Sequence, residues 1–398
     1  MTAIPRYRAS SAPAILSAGF RPFFLLSALW AAFAVPFWLL LLQGEAVLPI
    51  AMPPLLWHAH EMIFGFALAT VAGFLFTAVP NWTGRMPLQG APLAGLVVLW
   101  FAGRAAMLLG ADLPLPVPAL LDLAFPAALM AAIGREVLAG RNWRNVPVLA
   151  ALGMFLLADL LAQIGAAGDV ALAMAGLRLG IATLVALITL IGGRVVPSFT
   201  RNWLARRDPP QAVPAPFGRL DRTALATSVG ALALWVVVPD NAVTSVLLMA
   251  AGAAHAVRLA RWRGLATMPE PLLAVLHVGY AWVAFGLLLL GASHWFAFVP
   301  PTAALHALTV GAVGTMTLAV MARASLGHTG QALTAGRGCT AVFVLVGVAA
   351  VLRLLAPMVP GDYQVMLDLS GTTWAGAFLL FVVLFARLLA TPRRRGHV

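Results

Sequence analysis

The sequence predicts an all-α polytopic membrane protein of about twelve transmembrane helices, and three observations predict it. The chain is 62% hydrophobic and only 10% charged, where an average soluble domain carries roughly 25% charged residues. Its apolar residues fall in runs of about twenty, the length that crosses a hydrocarbon core. All 25 of its Lys and Arg positions are arginines, and those outside the apolar runs fall in alternate loops. Residues 1–398 therefore read as a single integral membrane domain.

The runs lie at 22–43, 57–80, 89–110, 116–133, 147–165, 171–198, 223–239, 242–259, 270–291, 302–324, 338–356 and 367–390. The first is too long, and too poor in cleavage-site character, to be a removable signal peptide. Arg6, Arg8 and Arg21 precede it, and Arg85 follows the second run. Next come Arg135, Arg141 and Arg144, the group from Arg194 to Arg222, and Arg258, Arg261 and Arg263. Arg323 and Arg337 follow, then Arg387 and Arg393 to Arg395. The intervening loops, 44–56, 111–115, 166–170, 240–241, 292–301 and 357–366, contain no arginine. The positive-inside rule then places both termini on the cytoplasmic side of a bacterial inner membrane. The net charge of +12 is accounted for by topology, which argues against nucleic acid as a partner and leaves the lipid bilayer.

Away from the cytoplasmic ends, three arginines lie inside runs, Arg104, Arg178 and Arg353, all towards the outer end. Such groups usually face the interior of a helix bundle with a partner, and Asp159 is at a depth suited to pairing with Arg178. The lone Cys339 excludes an intrachain disulfide framework and a multi-cysteine metal site. No phosphate-binding loop, dinucleotide fingerprint, covalent haem attachment or serine elbow is present.

An internal repeat shows in the second and tenth runs. His60, Gly65, Thr83 and Gly84 recur as His306, Gly311, Thr329 and Gly330, all at an offset of 246 residues. The sixth run ends Val196-Pro-Ser-Phe-Thr200, like Val79-Pro-Asn-Trp-Thr83 at the end of the second. Pro22, Pro147 and Pro271 open the first, fifth and ninth runs at spacings of 125 and 124, where a missing N–H leaves no partner unsatisfied. These marks suggest three four-helix units, about 17–140, 141–265 and 266–390. Twelve helices in three fours resemble the catalytic subunit of haem–copper oxidases.

Histidines carry the chemical signal. His58 and His60 lie one turn into the second run, His306 at nearly the same depth in the tenth, His277 in the inner half of the ninth, and His328 at the end of the tenth. A neutral imidazole suits haem iron, copper and zinc, and two histidines at matched depth on facing helices suit a haem. His60 and His306 meet the depth condition. His58 and His60, two residues apart, point roughly 200° away from each other on a regular helix, so they would serve different centres. A second centre would use His58, or His277 with Tyr280. Glu61 and Tyr280 are candidate proton-relay or catalytic groups. For His255, His294 and His397 an ordinary hydrogen-bonded role is favoured. Arg194 and Arg201 could hold haem propionates or substrate carboxylates, or serve simply as topological anchors.

Several of these segments resemble the NnrS family. They are Phe20-Arg-Pro-Phe-Phe, Trp57-His-Ala-His-Glu-Met through Ala78-Val-Pro-Asn-Trp-Thr-Gly84, Gly193-Arg-Val-Val-Pro-Ser-Phe-Thr-Arg-Asn202, His277-Val-Gly-Tyr280, and Leu305-His-Ala-Leu-Thr-Val-Gly through Leu326-Gly-His-Thr-Gly330. The resemblance implies an inner-membrane protein with haem, of b type and non-covalent, and copper. It also implies a link to nitric oxide, denitrification and nitrosative stress. His58, His60, His277, His306 and His328 become the candidate metal ligands, and an electron donor is implied but not identified. Two other readings stay open from the residues alone: a transporter or proton-coupled channel with a histidine relay, and a metal-dependent sensor of nitric oxide without turnover.

Overall fold

The computed structural model describes residues 12–114, 116–207 and 212–392. Arg6, Arg8, Arg393, Arg394, Arg395 and His397 lie outside the described residues. Among those described, twelve helices are long and apolar enough to cross a membrane, and there are no strands. They are α1 (Phe20–Gln43), α2 (Pro54–Thr83), α3 (Ala91–Leu109), α4 (Val117–Ala139), α5 (Trp143–Ala166), α6 (Val170–Leu204), α7 (Arg219–Val237), α8 (Ala242–Ala260), α9 (Pro271–Ala292), α10 (Pro301–Thr329), α11 (Arg337–Met358) and α12 (Tyr363–Ala390). The chain is a multi-pass helical membrane protein. Every expected run is one of these helices, the largest boundary changes being extensions by six residues of the fourth, to Ala139, and of the sixth, to Leu204.

The helices form two compact units. The first comprises residues up to Gly180, Met321–Ala332 and the chain from Phe378 onward. Within it α1 lies on α2, with Phe23 stacked on Phe76 at 6.1 Å. A Cβ at Gly73 would stand 2.7 Å from the Phe24 ring. Small residues let backbones approach where no hydrophobic force separates helix from lipid. Gly176 does the same where α6 meets α5, a Cβ there standing 2.5 Å from the Ala162 nitrogen. Arg21, read among the arginines that precede the first run, is only 4% exposed. Its Nη1 donates to the carbonyls of Leu389 and Thr391, both at 2.7 Å, so it caps carbonyls that α12 leaves unpaired at its end.

The second unit comprises Ile181–Val320 and Leu333–Ala377. There α8 packs closely on α9: Ser245 Oγ donates to the Gly291 carbonyl at 2.6 Å, and a Cβ at Gly252 would meet the Ala284 carbonyl at 2.8 Å. The first two-thirds of α10 packs on α9, where Gly279 and Gly286 seat Met316 and Leu308.

Three helices are interrupted by a wider, π-helical stretch: α2 at Glu61–Ala67, α6 at Ile188–Gly192 and α10 at Ala307–Gly314. Such stretches are rare and concentrate at functional sites. Those in α2 and α10 begin immediately after His60 and His306, keeping the 246-residue offset of the sequence motif. The recurring glycines have a conformational reason as well. Gly84 and Gly330 both take positive φ, +70° and +80°, in the left-handed turn that closes each helix.

Candidate metal centre

In the first unit, four helices bring ionisable side chains to one buried point. At the start of its π stretch α2 presents His60 and Glu61, α3 presents Arg104, α4 Asp122, and α5 Asp159 with Gln163 one turn on. His60, Glu61 and Asp159 are completely buried, Asp122 is 1% exposed and Arg104 4%. Groups of this kind inside a membrane demand partners, and the partners are mutual. His60 Nδ1 lies 3.1 Å from Glu61 Oε1. Its Nε2 lies 2.9 Å from both Asp122 Oδ2 and Asp159 Oδ1. Arg104 Nη1 donates to Glu61 Oε2 at 2.6 Å, and Nη2 donates to Asp122 Oδ1. Gln163 donates its amide N–H to Asp122 Oδ2 at 2.8 Å.

Local backbone makes room for this. A Cβ at Gly65 would stand 2.7 Å from Arg104 Nη1 and 2.8 Å from Glu61 Oε2, so only glycine lets the guanidinium reach the carboxylate there. The Gly65 carbonyl, displaced by the π stretch, accepts Trp100 Nε1–H at 2.9 Å. One donor atom each from His60, Asp122 and Asp159 lies within 4.8 Å of the others, an arrangement able to hold a metal ion.

The second unit holds a separate cluster. Arg258, expected among the loop anchors, is fully buried. Its Nε donates to Asp221 Oδ1 at 2.7 Å, and its Nη1 donates to the Tyr280 hydroxyl at 2.7 Å and the Thr189 carbonyl at 2.9 Å. Nη2 reaches the Gly193 carbonyl at 3.4 Å, an acceptor left vacant because Pro197 has no N–H to donate back. The Tyr280 hydroxyl lies 2.7 Å from His255 Nδ1, and His255 Nε2 lies 2.6 Å from Ser228 Oγ. The hydrogen-bonded role expected for His255 is therefore what the structure shows. A cavity of about 360 Å³ adjoins this cluster, lined by Arg194, Arg201, Asp221 and Trp262 among others.

The remaining candidates are distributed. His58 stacks on Trp38 with centroids 4.1 Å apart. His306 is half-buried, and its Nδ1 lies 2.6 Å from the Thr302 carbonyl. His328 packs on Phe20 at 5.4 Å. Thr200 donates its hydroxyl to the Val196 carbonyl, so it accepts from His277 Nε2 at 2.9 Å. That leaves His277 Nδ1 as a buried lone pair with no hydrogen-bond partner among the described residues. Tyr280, one turn away, spends its hydroxyl on His255 and Arg258. Arg201 donates to the Pro214 carbonyl at 3.2 Å.

A family model described as NnrS protein matches residues 14–393, nearly the whole chain. The chain belongs to the NnrS family. No curated protein matches it. The match covers both units, so the carboxylate cluster and the Arg258 cluster both lie within the NnrS region. Sequence reading missed Asp122 and Gln163 and assigned Asp159 to Arg178. The signal was present, since Asp122 is a lone carboxylate in an apolar run and such a residue is a functional candidate by default.

Proposed function

We propose that this NnrS-family chain is a haem- and copper-binding inner-membrane protein that handles nitric oxide. The observation that carries the reading is the family match across residues 14–393, on a chain whose motif segments bring histidines into apolar helices. Nitric oxide is apolar and enters membranes, so a buried metal site is reachable by it.

The donor chemistry fits this in part. Donation from His306 Nδ1–H to the Thr302 carbonyl fixes the tautomer in which Nε2 carries the lone pair, as ligating imidazoles generally have it. His277 Nδ1 is an orphaned, buried lone pair, a donor suited to copper. His58 and His328 remain further candidates. Arg194 and Arg201 line the cavity, and guanidiniums suit carboxylates such as propionates. His60 fits a macrocycle poorly, because two carboxylate oxygens stand 2.9 Å from its Nε2. The reading accordingly keeps His306 as a haem-ligand candidate and does not rest on its pairing with His60. When bound, haem and copper would supply the affinity for nitric oxide and the capacity for one-electron chemistry; the chain orients them and keeps water away. Arginine-bearing loops on the cytoplasmic side and both termini inside complete the proposed topology.

Optical spectra of detergent-purified protein, oxidised and reduced, with and without nitric oxide, test the reading together with copper analysis. A Soret band that shifts with nitric oxide is expected. His306→Ala should lose or shift it, and His60→Ala should leave it. A preparation with neither Soret absorbance nor copper would sink the proposal.

A further inference from the structure

We propose that His60, Asp122 and Asp159 bind a single borderline divalent cation of the Zn2+, Fe2+ or Mn2+ class, separate from any haem or copper. The inference does not depend on what the protein does with nitric oxide.

The argument begins with the imidazole. Glu61 Oε1, 3.1 Å from His60 Nδ1, can only accept, so Nδ1 carries the proton. Glu61 is itself fixed by Arg104 at 2.6 Å. This carboxylate–histidine arrangement, with an outer partner holding the carboxylate, is the usual support behind a metal-ligating ring. A neutral ring then aims its Nε2 lone pair between Asp122 Oδ2 and Asp159 Oδ1, each 2.9 Å away. The Gln163 amide, 3.3 Å from the ring Nε2 and 2.8 Å from Asp122 Oδ2, is the neutral donor at this point. It leaves two carboxylates converging on one ring in a dry interior, where they repel unless a positive centre lies among them.

That centre is either protons or a metal, and the surrounding bonds separate the two. Glu61, Asp122 and Asp159 bring three negative charges and Arg104 one positive charge, a formal balance of −2. Protonating His60 on both nitrogens and Asp159 on one oxygen would neutralise it. A proton on Asp159 Oδ2 has nothing to donate to, since that atom is buried with no hydrogen-bond partner among the described residues. A proton on Oδ1 could be shared only with Asp122 Oδ2, which already accepts from Gln163 and faces the ring. One divalent cation neutralises the same balance, ligates all three groups and gives Oδ2 a role as a second donor from the same carboxylate. Metal–ligand bonds of about 2.0–2.2 Å set donor atoms roughly 3 Å apart, close to the spacing already present. The donor set selects the class: an imidazole disfavours Mg2+ and Ca2+, and two carboxylates disfavour Cu(I). Three protein donors also leave a coordination position open.

The test uses the full chain in detergent. Protein stripped with a chelator is loaded with Zn2+ or with Mn2+, desalted, and measured for bound metal, for unfolding temperature and for Soret absorbance. About one equivalent above that in Asp159→Asn is expected in the wild type, with a raised Tm. Glu45→Gln, in an exposed loop, should behave as wild type. Asp159→Asn and His60→Gln should bind at least about tenfold more weakly. The Mn2+-loaded wild type should show the nitrogen coupling of one imidazole in its spin-echo spectrum, a readout that stands even if both variants fail to fold. Wild-type uptake no greater than in Asp159→Asn, or a Mn2+ signal without nitrogen coupling, overturns the proposal. No uptake with haem intact sinks this inference alone, whereas uptake without haem or copper sinks only the functional reading.

Discussion

The two buried clusters are built alike and balanced differently. Each seats a guanidinium against a glycine in or beside a π stretch: Arg104 over Gly65 in α2, and Arg258 over Gly193 in α6. Around Arg258 the charges close. One carboxylate, Asp221, faces the buried arginine and, across 3.6 Å, the part-exposed Arg261; the remaining partners of Arg258 are the Tyr280 hydroxyl and two backbone carbonyls. His255 needs no added proton, because Tyr280 donates to its Nδ1 and its Nε2–H is accepted by Ser228. Around Arg104 they do not close. Three carboxylates share one arginine, and a ring nitrogen is pointed at two of them. The same packing device thus makes a finished structural joint in one unit and an anionic socket in the other. The difference lies in how many carboxylates the neighbouring helices supply.

Removing the arginines tests this contrast hardest. Arg104→Leu leaves Glu61 and Asp122 buried with less compensation, and a loss of about 3–5 kcal/mol is expected, read as a fall in unfolding temperature in detergent. A drop under about 1 kcal/mol would mean that the carboxylates are protonated, and the contrast would fail. Gly193→Ala places a methyl group where the Arg258 guanidinium lies, and overpacking of this kind costs about 1–3 kcal/mol. Gly230→Ala, in open space on α7, should not destabilise and serves as its control. Tyr280→Phe removes one hydroxyl from a completed network and should cost about 1–2 kcal/mol, leaving Soret absorbance unchanged. If Tyr280→Phe instead altered the optical spectrum, the second cluster would be a cofactor site rather than a joint. At the small end, Glu136→Gln breaks an ion pair with Arg85, which is 44% exposed. It should move stability by less than about 1 kcal/mol.

Much of the scaffold was legible because a membrane imposes strong local rules. Span length, arginine-bearing loops and proline openings depend only on neighbouring residues, and all twelve helices were read from them. The repeat marks at His60, Gly65, Thr83 and Gly84 were legible too. The π stretches that follow His60 and His306 were not, because a widened turn is set by what its displaced carbonyls find, such as Trp100 at Gly65. Arg258 was misread for a related reason. It sits near a helix end among other arginines, and nothing local says that Asp221, 37 residues earlier, turns it inward.

The sequence by itself determined that this chain crosses a membrane many times and which residues are expensive to hold there. It determined which histidines were candidates, since an imidazole in an apolar run must be explained wherever it points. Only the tertiary structure decided which of those residues meet. Asp122 and Asp159 lie 62 and 99 residues beyond His60, on two other helices, and no periodicity links such positions. Their convergence is fixed by packing through small residues, because contact between helices in lipid depends on shape rather than on a polarity pattern that a sequence displays.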